Sequence, residues 1–105
     1  MASRIYSICI DCHDISRVGT FWSAVLERPF QIDEDGDGYI RLTDDENAPL
    51  LCFFDDPNDK TTKNRLHLDL APDDRDAEVA RIEALGGTQG DIGQGTQTWV
   101  VMADV

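Results

Sequence analysis

Lys63-Asn64-Arg65-Leu66-His67-Leu68-Asp69-Leu70, followed by Asp73-Asp74 and a helical pattern closing at Gly86-Gly87, decides how this chain is read. The first half opens in the same way. Ser7-Ile8-Cys9-Ile10-Asp11-Cys12 alternates as a strand does, Asp14 follows, and a helical pattern runs to Leu26. Setting Asp14 against Asp74 brings Ser7 opposite His67. The chain therefore reads as two copies of one strand–helix–strands unit, roughly 60 residues apart. Duplicated small modules usually build a site from both copies, and that is where function is expected.

The elements follow from periodicity. Arg4 to Cys12 reads as a strand. Asp14-Ile15-Ser16 starts a helix, with Asp or Ser satisfying open amides. Val18, Phe21, Trp22, Val25 and Leu26 make its apolar stripe, and Pro29 stops it. Phe30–Ile32 and Tyr39–Leu42 are strands joined by the turn Asp35-Gly36-Asp37-Gly38. Leu50–Phe54 is a short apolar strand. Asp55 to Thr62, polar and carrying Pro57 and Asn58, connects the modules, 1–56 and 63–105, within one domain. In the second copy, Leu66–Leu70 is a strand. Asp73 or Asp74 caps a helix with Ala77, Val79, Ala80, Ile82 and Leu85 on its apolar side, and Gly86-Gly87 ends it. Thr88–Ile92 and Thr98–Met102 are strands across a turn at Gly93 to Gly95. The first copy thus has three strands after its helix and the second only two, so a last strand is expected to be missing.

With 105 residues and 41% apolar composition, one modest core is expected. No apolar run reaches the roughly 20 residues of a membrane span, and no secretory signal opens the chain, which suggests a cytoplasmic protein. The net charge of −12 disfavours nucleic acid, whose phosphates call for clustered Lys and Arg. Lys60, Lys63 and Arg65 form one basic island, suited to a carboxylate or phosphate or to balancing Asp55, Asp56 and Asp59. Three cysteines without an export signal read as reduced thiols.

Strand alternation assigns faces. Leu66, Leu68 and Leu70 point to one side, where the second helix is expected to cover them. Arg65, His67 and Asp69 point to the other: a cation, an imidazole and a carboxylate in a row. In the first copy Ser7, Cys9 and Asp11 form the matching face. Phe54 and Trp99 fall on the same side by alternation, where rings suit planar or apolar ligands. Such a wall lines either a binding cavity or a solvated row of ion pairs.

The order and spacing of Phe21-Trp22, Val25-Leu26, Asn64 to Leu70, Ala84-Leu85-Gly86-Gly87 and Thr98-Trp99-Val100-Val101-Met102-Ala103-Asp104 resemble the glyoxalase-like group of the vicinal oxygen chelate superfamily, over nearly the whole chain. The resemblance implies an α+β fold of two βαβββ modules forming a cupped mixed sheet, often completed in a homodimer. It implies lyases, dioxygenases, epimerases, thiol transferases or metal-free drug-binding proteins. Metal-using members carry a ligand on the first and fourth strands of each copy. Ser7, a position near Phe54, and His67 stand there in this chain, and a fourth position lies on the missing strand. A divalent metal needs about three suitable protein ligands, so neither a metal nor another cofactor is expected. In this family's sheet order the last strand lies between the first and third, so a partner chain is expected to cover the gap or that half to be poorly ordered. The leading expectation is a metal-free small-molecule site lined by Asp11, Arg65, His67, Asp69 and Trp99. Arg65 would hold an anionic group, His67 would exchange a proton as the catalytic candidate, and Trp99 would stack. A metal-dependent lyase or dioxygenase completed by another chain is the alternative.

Two further motifs carry competing chemistry. Cys9-Ile10-Asp11-Cys12-His13 matches a haem-attachment pattern, but strand alternation sends Cys9 and Cys12 to opposite faces, so they cannot grip one cofactor. Asp33 to Asp44 matches much of a calcium loop, with acids at the first, third and fifth positions and glycine at the sixth. Pro29 ends the preceding helix early, Arg41 adds positive charge, and Asp44 is shorter than the usual glutamate. A hairpin turn is expected there, with calcium binding or an interaction module as the competing reading.

Overall fold

The computed structural model describes residues 2–91, 93, 95 and 98–105. The protein has a mixed α+β architecture in two compact units, residues 1–58 and 59–105.

Unit 1 runs β1 (Ser7–Cys12), α1 (Ile15–Leu26), β2 (Phe30–Ile32), β3 (Gly38–Arg41) and β4 (Leu50–Asp55). Its sheet order is β1-β4-β3-β2, with β1 and β4 parallel and the other pairs antiparallel. The crossover that makes β1 and β4 parallel passes through α1, which packs on one face of the sheet. Asp14 caps α1, its carboxylate accepting from the Arg17 amide at 3.0 Å. Val18, Phe21 and Val25 recur at helical spacing and are buried. Beneath them Ile40, Leu51 and Phe53 are almost wholly inaccessible. Gly19 is required here: a Cβ at that position would collide with the Phe30 ring. The helix closes at Glu27, in the left-handed region at φ 53°, two residues before Pro29.

The strands of unit 1 fall close to their expected places. The first is shorter than Arg4–Cys12, because its partner β4 begins at Leu50, opposite Ser7, and Pro49 before it has no amide to extend the ladder. The acidic loop is a hairpin turn between β2 and β3. Asp33 Oδ1 accepts from the amides of Asp35 and Asp37 at 2.9 and 3.0 Å, and Gly36 takes φ 86°.

Unit 2 has α2 (Arg75–Ala84), β5 (Thr88–Gln89) and β6 (Met102–Ala103). Asp74 caps α2, accepting from the Ala77 amide at 3.1 Å. Gly86, at φ 108°, turns the chain out of the helix. β5 and β6 pair antiparallel, Thr88 opposite Ala103 and Gln89 opposite Met102.

In unit 2 one expected strand fails and two are shortened. Residues 66–70 form no strand. A strand needs a neighbour for its amides and carbonyls, and the one ladder among the described residues of this unit joins β5 to β6. The expected leucine face is correspondingly uncovered: Leu66 is 68% exposed, Leu68 36% and Leu70 40%. The strand expected over Thr98–Met102 is reduced to Met102–Ala103. The Thr98 carbonyl accepts from Arg75 Nη1 at 2.8 Å, so a side chain takes the acceptor a ladder would use. Thr88–Ile92 is likewise reduced to Thr88–Gln89; its end at Ile92, and Gln94 in the expected turn, lie outside the described residues.

Candidate functional site

In unit 1 the face of the sheet turned away from α1 is open. Alternation sends Ile8, Ile10, Leu51 and Phe53 toward the helix, and Cys9, Asp11, Cys52 and Phe54 away from it. The register sets Cys9, Cys52, Tyr39 and Gln31 in one row across all four strands. Tyr39 Oη donates to Gln31 Oε1 at 2.6 Å, which fixes the phenol over the sheet. Asp11 is exposed and stands opposite Phe54. The Ser7 hydroxyl lies 3.5 Å from Cys9 Sγ. Burial first, then the neighbouring Cys9 thiol, push the Cys52 thiol above its ordinary range, while a hydrogen bond with Ser7 works against that.

The remaining expected site residues belong to unit 2. Arg65, His67 and Asp69 are all exposed. Although residues 66–70 are not a strand, the expected same-side relation survives locally: His67 Nδ1 lies 2.9 Å from Asp69 Oδ1. The carboxylate orients the ring and favours the proton on Nδ1 in the neutral form, leaving Nε2 to accept. With 72% of the imidazole accessible, solvent competes for that contact. Trp99 is 56% exposed, in a bend rather than a strand. Its neighbour Thr98 is tied to α2 through Arg75.

The family's metal-ligand positions in unit 1 do not suit a metal. Ser7 offers a neutral hydroxyl engaged with Cys9, and Phe54 offers a ring. Among the described residues, the group of three or more metal-type side chains with ligand atoms close together is Asp33, Asp35 and Asp37, all within 4.8 Å of one another. Desolvation first, then the Asp33 and Asp35 carboxylates, raise the Asp37 carboxyl above its usual range. The last acid of the calcium-like pattern, Asp44, is drawn away to Arg28 Nη2 at 3.0 Å. Beside the triad an open hollow of about 510 Å³ lies at the start of α1, lined by His13, Asp14, Asp35, Asp37 and Asp55 among others.

Sequence reasoning missed two groupings. The pairing of Cys9 with Cys52 was available from alternation once β1 and β4 were recognised as neighbours. The approach of His13 and Asp55 to the hairpin acids was not, because it depends on how the β1–α1 junction meets the β2–β3 turn.

Among the described residues no helix is long and apolar enough to cross a membrane. A search of curated proteins found no match. The solved structure of a hypothetical protein from S. aureus resembles this chain with a TM-score of 0.71, covering 100% of this chain and 88% of that one. The two are 11% identical, so the likeness is one of fold. The glyoxalase-like domain family matches residues 7–105, over both units. This chain belongs to the glyoxalase-like domain family.

Proposed function

We propose that the protein binds a small molecule without a metal held at Ser7, Phe54 and His67. The observation that carries this reading is the open sheet face of unit 1, with α1 on its other side, which presents the half-buried Phe54 ring opposite Asp11 and the half-buried Tyr39 phenol on β3. Apolar surface with a few fixed polar groups is what small-ligand sites require. Asp11 is the candidate contact in this unit, suited to a ligand donor. In unit 2, Arg65 is suited to an anionic group, Trp99 to stacking, and the His67–Asp69 pair to proton exchange with a bound ligand. The family's habit of pairing supports a homodimer as the working form.

The test is a thermal-shift screen of small aromatic and anionic compounds on the full chain, followed by titration of each hit. Binding is expected to weaken about tenfold or more in Arg65→Ala and His67→Ala. Hits that bind these variants and Asp11→Asn as tightly as wild type would overturn the assignment. Elemental analysis accompanies the screen. Near-stoichiometric metal that returns after chelation would replace this reading with a metal-dependent lyase or dioxygenase.

A second reading rests on the Asp33, Asp35 and Asp37 carboxylates, whose mutual approach suits a hard cation such as calcium. A calcium titration followed by tryptophan fluorescence tests it. Saturable binding lost in Asp35→Asn supports that reading, and a flat titration removes it.

A further inference from the structure

Cys9 and Cys52 are direct partners in the parallel β1–β4 pair. Both side chains stand on the open face, since their strand neighbours Ile8, Ile10, Leu51 and Phe53 turn toward α1. Neighbouring strands lie about 4.8 Å apart, inside the roughly 4.4–6.8 Å between Cα atoms that a disulfide spans. The two thiols interact with each other and share the Ser7 hydroxyl as neighbour. Cys12 lies on the helix side of β1 and is excluded from the pair by alternation.

We propose that Cys9 and Cys52 form a redox-active dithiol, a modification site for low-molecular-weight disulfides. The difference in exposure sets the order of events. Cys9 is exposed and Cys52 is half-buried, so Cys9 reacts first. Its thiolate attacks one sulfur of the small disulfide, forming a Cys9 mixed disulfide and expelling one thiolate. Cys52 then gives its proton to solvent and attacks Cys9 Sγ, expelling the second small thiolate. The protein loses two electrons and two protons, and the small disulfide becomes two thiols. Exposed disulfides are the labile ones, and the exposure of Cys9 favours a reversible bond over a permanent staple. It would tie β1, at the edge of the sheet, to β4 and close the loop containing α1, β2 and β3.

The experiment is incubation of the full chain with oxidised glutathione, followed by thiol titration, intact mass and non-reducing peptide mapping. Wild type is expected to lose the mass of two hydrogens and yield one linked peptide joining Cys9 to Cys52, with Cys12 still reactive. Cys12→Ser is expected to behave identically. Cys52→Ser is expected to accumulate one stable glutathione adduct, on Cys9. Wild type that keeps all its thiols, retains glutathione on Cys9 without closing the bond, or yields a bridge to Cys12 would overturn the proposal. The wild-type mapping stands by itself should a serine variant fail to fold.

Discussion

In unit 1, half-buried Ile8 and Ile10 stand opposite Leu51 and Phe53, which are buried where α1 packs over β4, β3 and β2. In unit 2, Leu66, Leu68 and Leu70 carry the same alternation and remain exposed. The difference is not in propensity, since both segments mix apolar and polar residues at period two. It lies in what each segment finds alongside it. β4 offers β1 a parallel ladder along its whole length, from Ser7 opposite Leu50 to Cys12 opposite Asp55. No described strand of unit 2 runs beside residues 66–70. Alternation chooses which face is apolar, and pairing decides whether there is a strand to have faces.

The largest expected effect comes from cutting one side chain from each of these regions. Phe53 is fully buried and packs edge-on to Phe30, with ring centres 6.0 Å apart. Phe53→Ala should cost about 3–5 kcal/mol, from lost transfer energy and the cavity left behind. Leu68→Ala, at a side chain more than a third exposed, should cost less than about 1 kcal/mol. Urea denaturation followed by far-UV circular dichroism measures both. Equal losses would mean that residues 66–70 are packed in solution, and the contrast between the regions would break.

The helix caps sharpen the comparison at a smaller scale. Asp14 and Asp74 occupy equivalent positions, each accepting from an amide three residues on, at 3.0 and 3.1 Å. Replacing either by Ala removes the same bond, worth about 1 kcal/mol. The consequences should differ. α1 buries Val18, Phe21 and Val25, so Asp14→Ala should lower the unfolding midpoint of the unit as a whole. α2 buries only Ile82, so Asp74→Ala should appear chiefly as faster amide exchange within Arg75–Ala84. Loss of protection across unit 2 equal to that in unit 1 would show that α2 is cooperatively coupled to its surroundings.

The same contrast explains what was legible in the sequence. The α+β class, both helices, both caps and every strand of unit 1 are local matters of period, capping oxygen and turn residue. Asp14, Val18, Phe21 and Gly36 each announce their role within a few neighbours. The fates of Leu66–Leu70 and Trp99 are non-local, depending on a partner strand and on Arg75 taking the Thr98 carbonyl. Among the expected site residues, the His67–Asp69 contact was readable because i and i+2 share a side in any extended segment. The Cys9–Cys52 row needed the strand order as well, which alternation does not contain.

The smallest effects are electrostatic, and the two units should titrate in opposite directions. In unit 2, Glu78 receives Arg81 at 2.6 and 3.0 Å, and that hydrogen bonding holds its carboxyl below the usual range. A lowered folded pKa contributes stability above the unfolded value and loses it as pH falls through the folded one. The pair is partly exposed, so it is worth only about 0.3–0.5 kcal/mol. In unit 1, Asp37 is raised by desolvation and by Asp33 and Asp35. Its contribution is therefore present below the ordinary aspartate value and is lost as pH rises through the raised one. Carboxyl titration by NMR should place Glu78 below and Asp37 above their ordinary ranges. Glu78→Gln should flatten the acid-side loss of stability, whereas Asp37→Asn should remove the opposing slope and ease repulsion in the hairpin near neutral pH. A Glu78 that titrates at its ordinary value would show that the ion pair of α2 does not persist in water, making unit 2 still more loosely held than its exposed leucines indicate.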